Sequence, residues 1–109
     1  MTTRKLDKRE WHPFFDRISK TLIGKRAEID VASLELGDQI EAEWLPLIGI
    51  TYDPRQDMLE IALEGLDHLI PYPKQIYIDE TEGVLTDLEV IDVEGASRIV
   101  HMREPLMIG

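Results

Sequence analysis

In two stretches, 26–31 and 39–44, the apolar residues of this 109-residue chain recur at every second position. That is the spacing of strands with one dry and one wet face. Ala27, Ile29 and Val31 alternate with Arg26, Glu28 and Asp30, and Ile40, Ala42 and Trp44 alternate with Gln39, Glu41 and Glu43. Leu36-Gly37-Asp38 between them reads as a hairpin turn. Leu47 to Tyr52 reads as a third strand and Met58 to Leu63 as a fourth. Asp53-Pro54-Arg55-Gln56-Asp57 turns the chain between them, with Pro54 pre-setting its own backbone angle. Glu64 to Asp67 breaks the pattern, and His68-Leu69-Ile70 is a short extended piece. Pro71 and Pro73 argue against a central strand there. Gln75 to Asp79, Leu85 to Val93 and Ser97 to Arg103 complete the set, with Glu94-Gly95 turning between the last two.

The head of the chain has a different period. Trp11, Phe14, Phe15, Ile18 and Leu22 follow at steps of three and four, one apolar stripe on a helix spanning 7–23. Asp7 and Glu10 have the spacing of a capping box, and Leu6 and Trp11 that of a hydrophobic staple. Gly24 is a natural stop. Pro13 is expected to kink this helix or to mark its true start. The stripe needs a dry surface, and the strands supply the one at hand. Burying five large side chains contributes about 10 kcal/mol before entropy, at about 2 kcal/mol each. The expected fold is therefore α+β: an N-terminal amphipathic helix packed on a curved antiparallel sheet, or on a small open β-barrel, of six to seven strands. One domain over 1–109 is expected at this length, with strands over 26–103.

Charge follows the same division. Residues 1–26 hold eight basic and three acidic residues, whereas 27–109 hold four basic and nineteen acidic ones, for a net charge of −10. Opposite charges then favour docking of head on body, although exposed pairs contribute little individually. The acidic balance argues against nucleic acid and against anionic membrane as partners. No apolar run approaches the span of a bilayer, and no signal segment is visible, so the expected location is the cytoplasm. The absence of cysteine removes disulfides, thiolate metal sites and a Cys nucleophile. A 43% hydrophobic chain is not a disordered one.

Chemistry is harder to find. Glu28 and Asp30 share a strand face, as do Glu41 and Glu43. If their strands pair, four carboxylates cluster in a way that suits a hard cation or a raised pKa. The plainer alternative is a solvated outer face. Asp53 and Asp57 flank a turn without a Ca²⁺-loop pattern, so turn formation is their simpler role. His12, His68 and His101 have no zinc-type spacing. His68 lies beside Asp67, among apolar neighbours and close to two prolines, with Tyr72 the aromatic expected to be most exposed. Asp67, His68 and Tyr72 are thus the candidate ligand or partner site. A satisfied rim histidine and a plain connecting loop are the simpler alternatives. Ser97 and His101 stand about 13 Å apart along one strand, too far for a dyad. No nucleophile elbow or phosphate loop is present. The apolar tail Pro105 to Gly109 either packs on the core or offers an edge for self-association.

The runs Glu10-Trp-His-Pro-Phe-Phe-Asp16, Glu41 to Pro54 and Leu59 to Ile70 together resemble a bacterial family of small acidic proteins of about this length whose function is unknown. The resemblance covers almost the whole chain. It implies a stand-alone bacterial protein and carries no activity, cofactor or catalytic residue with it.

The expectation is a non-enzymatic protein-interaction or adaptor-like domain, monomeric or weakly dimeric, that binds an unidentified protein or itself. The alternative is a small-molecule or metal-binding domain, at most a weak hydrolase, centred on His68. No cofactor, catalytic residue or metal ligand is assigned.

Overall fold

Trp11, Phe14, Phe15, Ile18 and Leu22 are all buried, so the sequence stripe is the packing face of the helix. In the computed structural model, which describes residues 2–33 and 37–107, the elements run β1 (Thr2–Lys5), α1 (Trp11–Leu22), β2 (Arg26–Ser33), β3 (Gly37–Asp53), β4 (Met58–Leu63), β5 (Leu66–Pro71), β6 (Pro73–Thr81), β7 (Val84–Asp92) and β8 (Ser97–Met107). The strands form one antiparallel sheet in the order β1-β6-β7-β8-β2-β3-β4-β5. The fold is therefore α+β, with a single helix on an antiparallel sheet.

The sheet is not closed. Its outermost strands are β1 and β5, and the eight strands exceed the six to seven expected. One strand was invisible to periodicity. Thr2-Thr3-Arg4-Lys5 has no apolar alternation, yet it pairs with β6 over Thr2↔Glu80 to Lys5↔Tyr77. Conversely, two expected strands are one. The first part of β3 pairs with β2 and the last part with β4. Within the part paired with β2, Trp44 takes a left-handed backbone (φ 52°) between Ala42 and Leu45, where the register slips. Register shifts around Ile29 accompany the bend, and they overturn the simple alternation: Ala42 is buried, but Ile40 is exposed. The proposed Leu36-Gly37-Asp38 turn is only partly visible, because Leu36 lies outside the described residues and Gly37 already opens β3.

Pro73 also needs correction. It opens β6, an interior strand between β1 and β7. A strand's first residue tolerates proline because no ladder donor is required of it. Pro71 closes β5, on the open edge. Of the C-terminal tail, Leu106 packs inward and pairs with Leu85, whereas Met107 is exposed. Ile108 and Gly109 lie outside the described residues.

The helix starts through a short 3-10 turn, Lys8–Glu10. Asp7 Oδ1 accepts from the Arg9 amide (2.9 Å), and the Asp7 amide donates to Glu10 Oε1 (3.0 Å), which completes the capping box. Leu6 and Trp11 are both buried, and the Trp11 indole N–H donates to the Leu6 carbonyl at 3.3 Å. Pro13 breaks nothing. It is the third residue of α1, where an amide has no helical acceptor in any case. Gly24, at φ 83°, turns the chain out of the helix, and its amide donates to the Leu47 carbonyl (2.8 Å).

Helix α1 lies against β3. Ser19 Oγ, on the helix, donates to the Ile50 carbonyl at 2.8 Å. The core continues through Ile29, Ile61, Ile76, Leu88 and Val100, all sealed from solvent. No helix among the described residues is long and apolar enough to cross a membrane.

Candidate functional site

The sheet face opposite the helix carries the polar half of the alternation, and strand order decides which polar residues meet. Register places Thr3 opposite Asp79, Asp79 opposite Asp87, Asp87 opposite His101 and His101 opposite Glu28. One residue pair further along, Tyr77, Glu89, Ile99 and Asp30 form a parallel row. Five carboxylates thus gather around one imidazole, because β7, β8 and β2 are neighbours in space.

His101 is held from both sides. Its Nδ1 lies 2.6 Å from Asp87 Oδ1 and its Nε2 3.2 Å from Asp30 Oδ2. Carboxylates accept and do not donate, so both contacts are hydrogen bonds only for the doubly protonated ring. Burial works against that charge, but the Asp87 and Asp30 carboxylates outweigh it and hold the His101 pKa above its usual value. The ring thus bridges β8 to β7 through Asp87 and to β2 through Asp30. Glu28 completes the group: one donor atom from each of Glu28, Asp30 and His101 lies within 4.8 Å of the others. Beside them an open depression of about 340 Å³ is lined by Thr3, Tyr77, Asp79, Asp87, Glu89, Ile99 and His101. A larger depression, about 570 Å³, lies beside the start of α1. Its carboxylates Asp7 and Glu10 are already engaged in the cap.

The residues singled out from sequence fall elsewhere. Asp67 and His68 are neighbours on β5, the edge strand. Successive strand residues project to opposite faces, and Asp67 is exposed while His68 is half-buried, so adjacency in sequence does not join them in one site. Tyr72 follows the strand, 57% exposed, at φ 52°. His12 is on α1, against the other face of the sheet from His101.

Glu28 and Asp30 do share a face and strands β2 and β3 do pair, but the partners that matter come from β8 and β7. Asp53 and Asp57 act in their turn: Asp53 Oδ1 accepts from the Arg55 amide (2.9 Å), and Asp57 Oδ1 accepts from the Tyr52 hydroxyl (2.6 Å). Ser97 Oγ donates to Glu89 Oε2 (2.8 Å) and leaves His101 to the carboxylates.

Sequence reasoning named His101 and the Glu28/Asp30 pair separately and missed their union. The signal was present in the outward phase of both strands. The missing knowledge was that residues about seventy positions apart are cross-strand neighbours.

A family described as a family of unknown function (DUF5335) matches residues 2–108. An uncharacterized protein of Aquifex aeolicus (strain VF5) is 41% identical over 104 residues, 94% of each chain. No solved structure matches. On the strength of the family match and of that relative, the chain belongs to the DUF5335 family of unknown function.

Proposed function

We propose that this protein is a non-enzymatic interaction domain of the cytoplasm, and that it takes an extended segment of a partner protein along β5. The observation that carries this reading is the position of β5 at the end of the sheet, with no strand beyond it among the described residues. Such an edge presents a row of backbone donors and acceptors to any strand that matches it. The other edge is better guarded. β1 has only four residues and carries Arg4 and Lys5, the short, charged kind of edge that resists pairing. β5 has six residues, with Leu69 half-exposed and Tyr72 just beyond it. Asp67, His68 and Tyr72 are the polar and aromatic contacts this surface offers.

The partner is a strand with apolar side chains at alternate positions and a basic bias. A chain of net charge −10 attracts such a segment and repels a second copy of itself, which makes a homodimer the weaker occupant. The alternative of a small-molecule or metal site centred on His68 draws less support, since Asp67 and His68 project to opposite faces. The test is a photo-crosslinking side chain at position 69, compared in the native host with the same group at position 89 on the other part of the sheet. Capture of one discrete species at 69, lost when His68→Pro blocks the edge, supports strand addition. Equal capture at both positions overturns it.

A further inference from the structure

We propose that Glu28, Asp30 and His101 form a binding site for one divalent first-row transition ion of the Zn²⁺ type, with Asp87 as the residue that orients the imidazole. The donors are one imidazole nitrogen and two carboxylates, a borderline set that suits such an ion better than Ca²⁺ or Mg²⁺, which prefer oxygen alone.

The spacing supports it. Ligands at about 2.1 Å from a tetrahedral ion stand about 3.4 Å from one another, and His101 Nε2 and Asp30 Oδ2 are 3.2 Å apart. Glu28, directly across from His101 in the ladder, has a donor within 4.8 Å of one donor atom of His101 and one of Asp30, and its flexible side chain closes the remaining gap. The fourth position is left for water or a ligand.

Two further features point the same way. Asp87 sits on Nδ1, the ring nitrogen opposite the one that meets Asp30. That is the arrangement by which a carboxylate fixes the tautomer and orientation of a metal-binding histidine and raises its basicity. Asp30 Oδ1, moreover, is shielded from solvent and accepts no hydrogen bond from any described residue. A sealed, unmatched carboxylate oxygen is costly, and an adjacent cation offsets that cost. An ion bound through Nε2 stands where that nitrogen now meets Asp30, and Nδ1–H is held by Asp87. The two carboxylates Asp30 and Glu28 carry together the charge that one dication balances.

The experiment is calorimetric titration of the full-length chain with Zn²⁺ in a non-chelating buffer near neutral pH, with Mg²⁺ and Ca²⁺ as comparisons. The expected result is one saturable Zn²⁺ site at least tenfold tighter than either. Glu28→Gln and His101→Asn each weaken it at least tenfold, and Asp87→Asn weakens it by about 10- to 100-fold although it removes no ligand. Co²⁺ should give visible absorption bands of a four-coordinate ion, lost in Glu28→Gln. If His101→Asn does not fold, Glu28→Gln still decides, because Glu28 is a half-exposed residue on the outer face. Absence of saturable Zn²⁺ binding, binding that Glu28→Gln leaves unchanged, or equal binding of Mg²⁺ and Ca²⁺ overturns the proposal. Failure here leaves strand addition at β5 untouched, since the two share no residue.

Discussion

The Arg98 guanidinium donates to the carboxylate of Asp92, and the two side chains bury each other at the turn between β7 and β8. Asp92 is the buried charged residue of the described chain. Its Oδ1 also accepts from the amides of Glu94 (2.9 Å) and Ala96 (3.0 Å), so one carboxylate organises the whole turn. Removing one partner of a buried pair strands the other charge. Asp92→Ala should cost about 3–5 kcal/mol, read as a fall in the urea midpoint at unchanged slope.

The same carboxylate sets a limit in acid. Burial alone raises the Asp92 pKa, but the Arg98 hydrogen bond and the two amides outweigh it and hold the pKa below the usual carboxylate value of 3.8. A depressed folded pKa contributes stability that is present above the unfolded value and lost as pH falls through the folded one. Unfolding free energies at pH 5 and pH 3 should therefore differ more in the natural chain than in Asp92→Asn. Equal losses would show that the carboxylate is not ionised in the fold.

The helix stripe is the second point of dependence. Trp11 is sealed from solvent and meets Tyr52 edge-on, with ring centroids 5.1 Å apart at 89°. Trp11→Ala removes the largest buried side chain of the helix and should cost about 3–5 kcal/mol. Arg17→Ala is the control: it is an exposed helix residue stacked on Phe14 at 5.4 Å and should cost under about 1 kcal/mol. Thermal denaturation of both variants separates apolar packing from head-to-body charge attraction as the force that docks the helix.

These dependences mark what could be read from residues alone. The Trp11–Leu22 stripe and the alternation of β2 are local patterns, and local patterns record which face of an element is dry. The Asp7/Glu10 capping box is local too. Strand order is not local: β2 pairs with β8 across about seventy residues, and no run of residues encodes that choice. The His101 constellation depends wholly on it. The β3 bend at Trp44 was hidden for another reason, since a left-handed backbone at a bulky residue contradicts local preference and is imposed by the surrounding sheet. β1 was hidden because its residues gain their strand from β6 and not from a face of their own.

The β6–β7 hairpin offers a stabilising change. Glu82 and Gly83 link Thr81 to Val84, and both have positive φ, 51° and 79°. Two left-handed central residues make a type I′ turn, for which Asn-Gly is the preferred pair. Glutamate pays a steric penalty at that φ that asparagine largely avoids. Glu82→Asn should raise stability by about 0.5–1 kcal/mol, a few degrees in melting midpoint. A lower midpoint would mean that Glu82 is held there by its side chain and not tolerated by its backbone.

Tyr52 supplies the alkaline counterpart to Asp92. Its ring is buried against Trp11, and its hydroxyl donates to Asp57 Oδ1 at 2.6 Å. Burial first, and then that hydrogen bond and the Asp57 charge, push its pKa up to about 12 from 10. A raised folded pKa means the protonated phenol is favoured by folding, so the contribution is complete below pH 10 and is lost as pH rises from 10 through about 12. Tyr52→Phe removes the hydroxyl. It should cost about 0.5–1.5 kcal/mol at neutral pH, the worth of one such hydrogen bond. It should also flatten the alkaline decline, so that urea midpoints of variant and natural chain converge between pH 9 and pH 11. If the gap between them stays constant over that range, the Tyr52 hydroxyl is not the group whose ionisation the fold resists, and the Trp11–Tyr52 contact stands on packing alone.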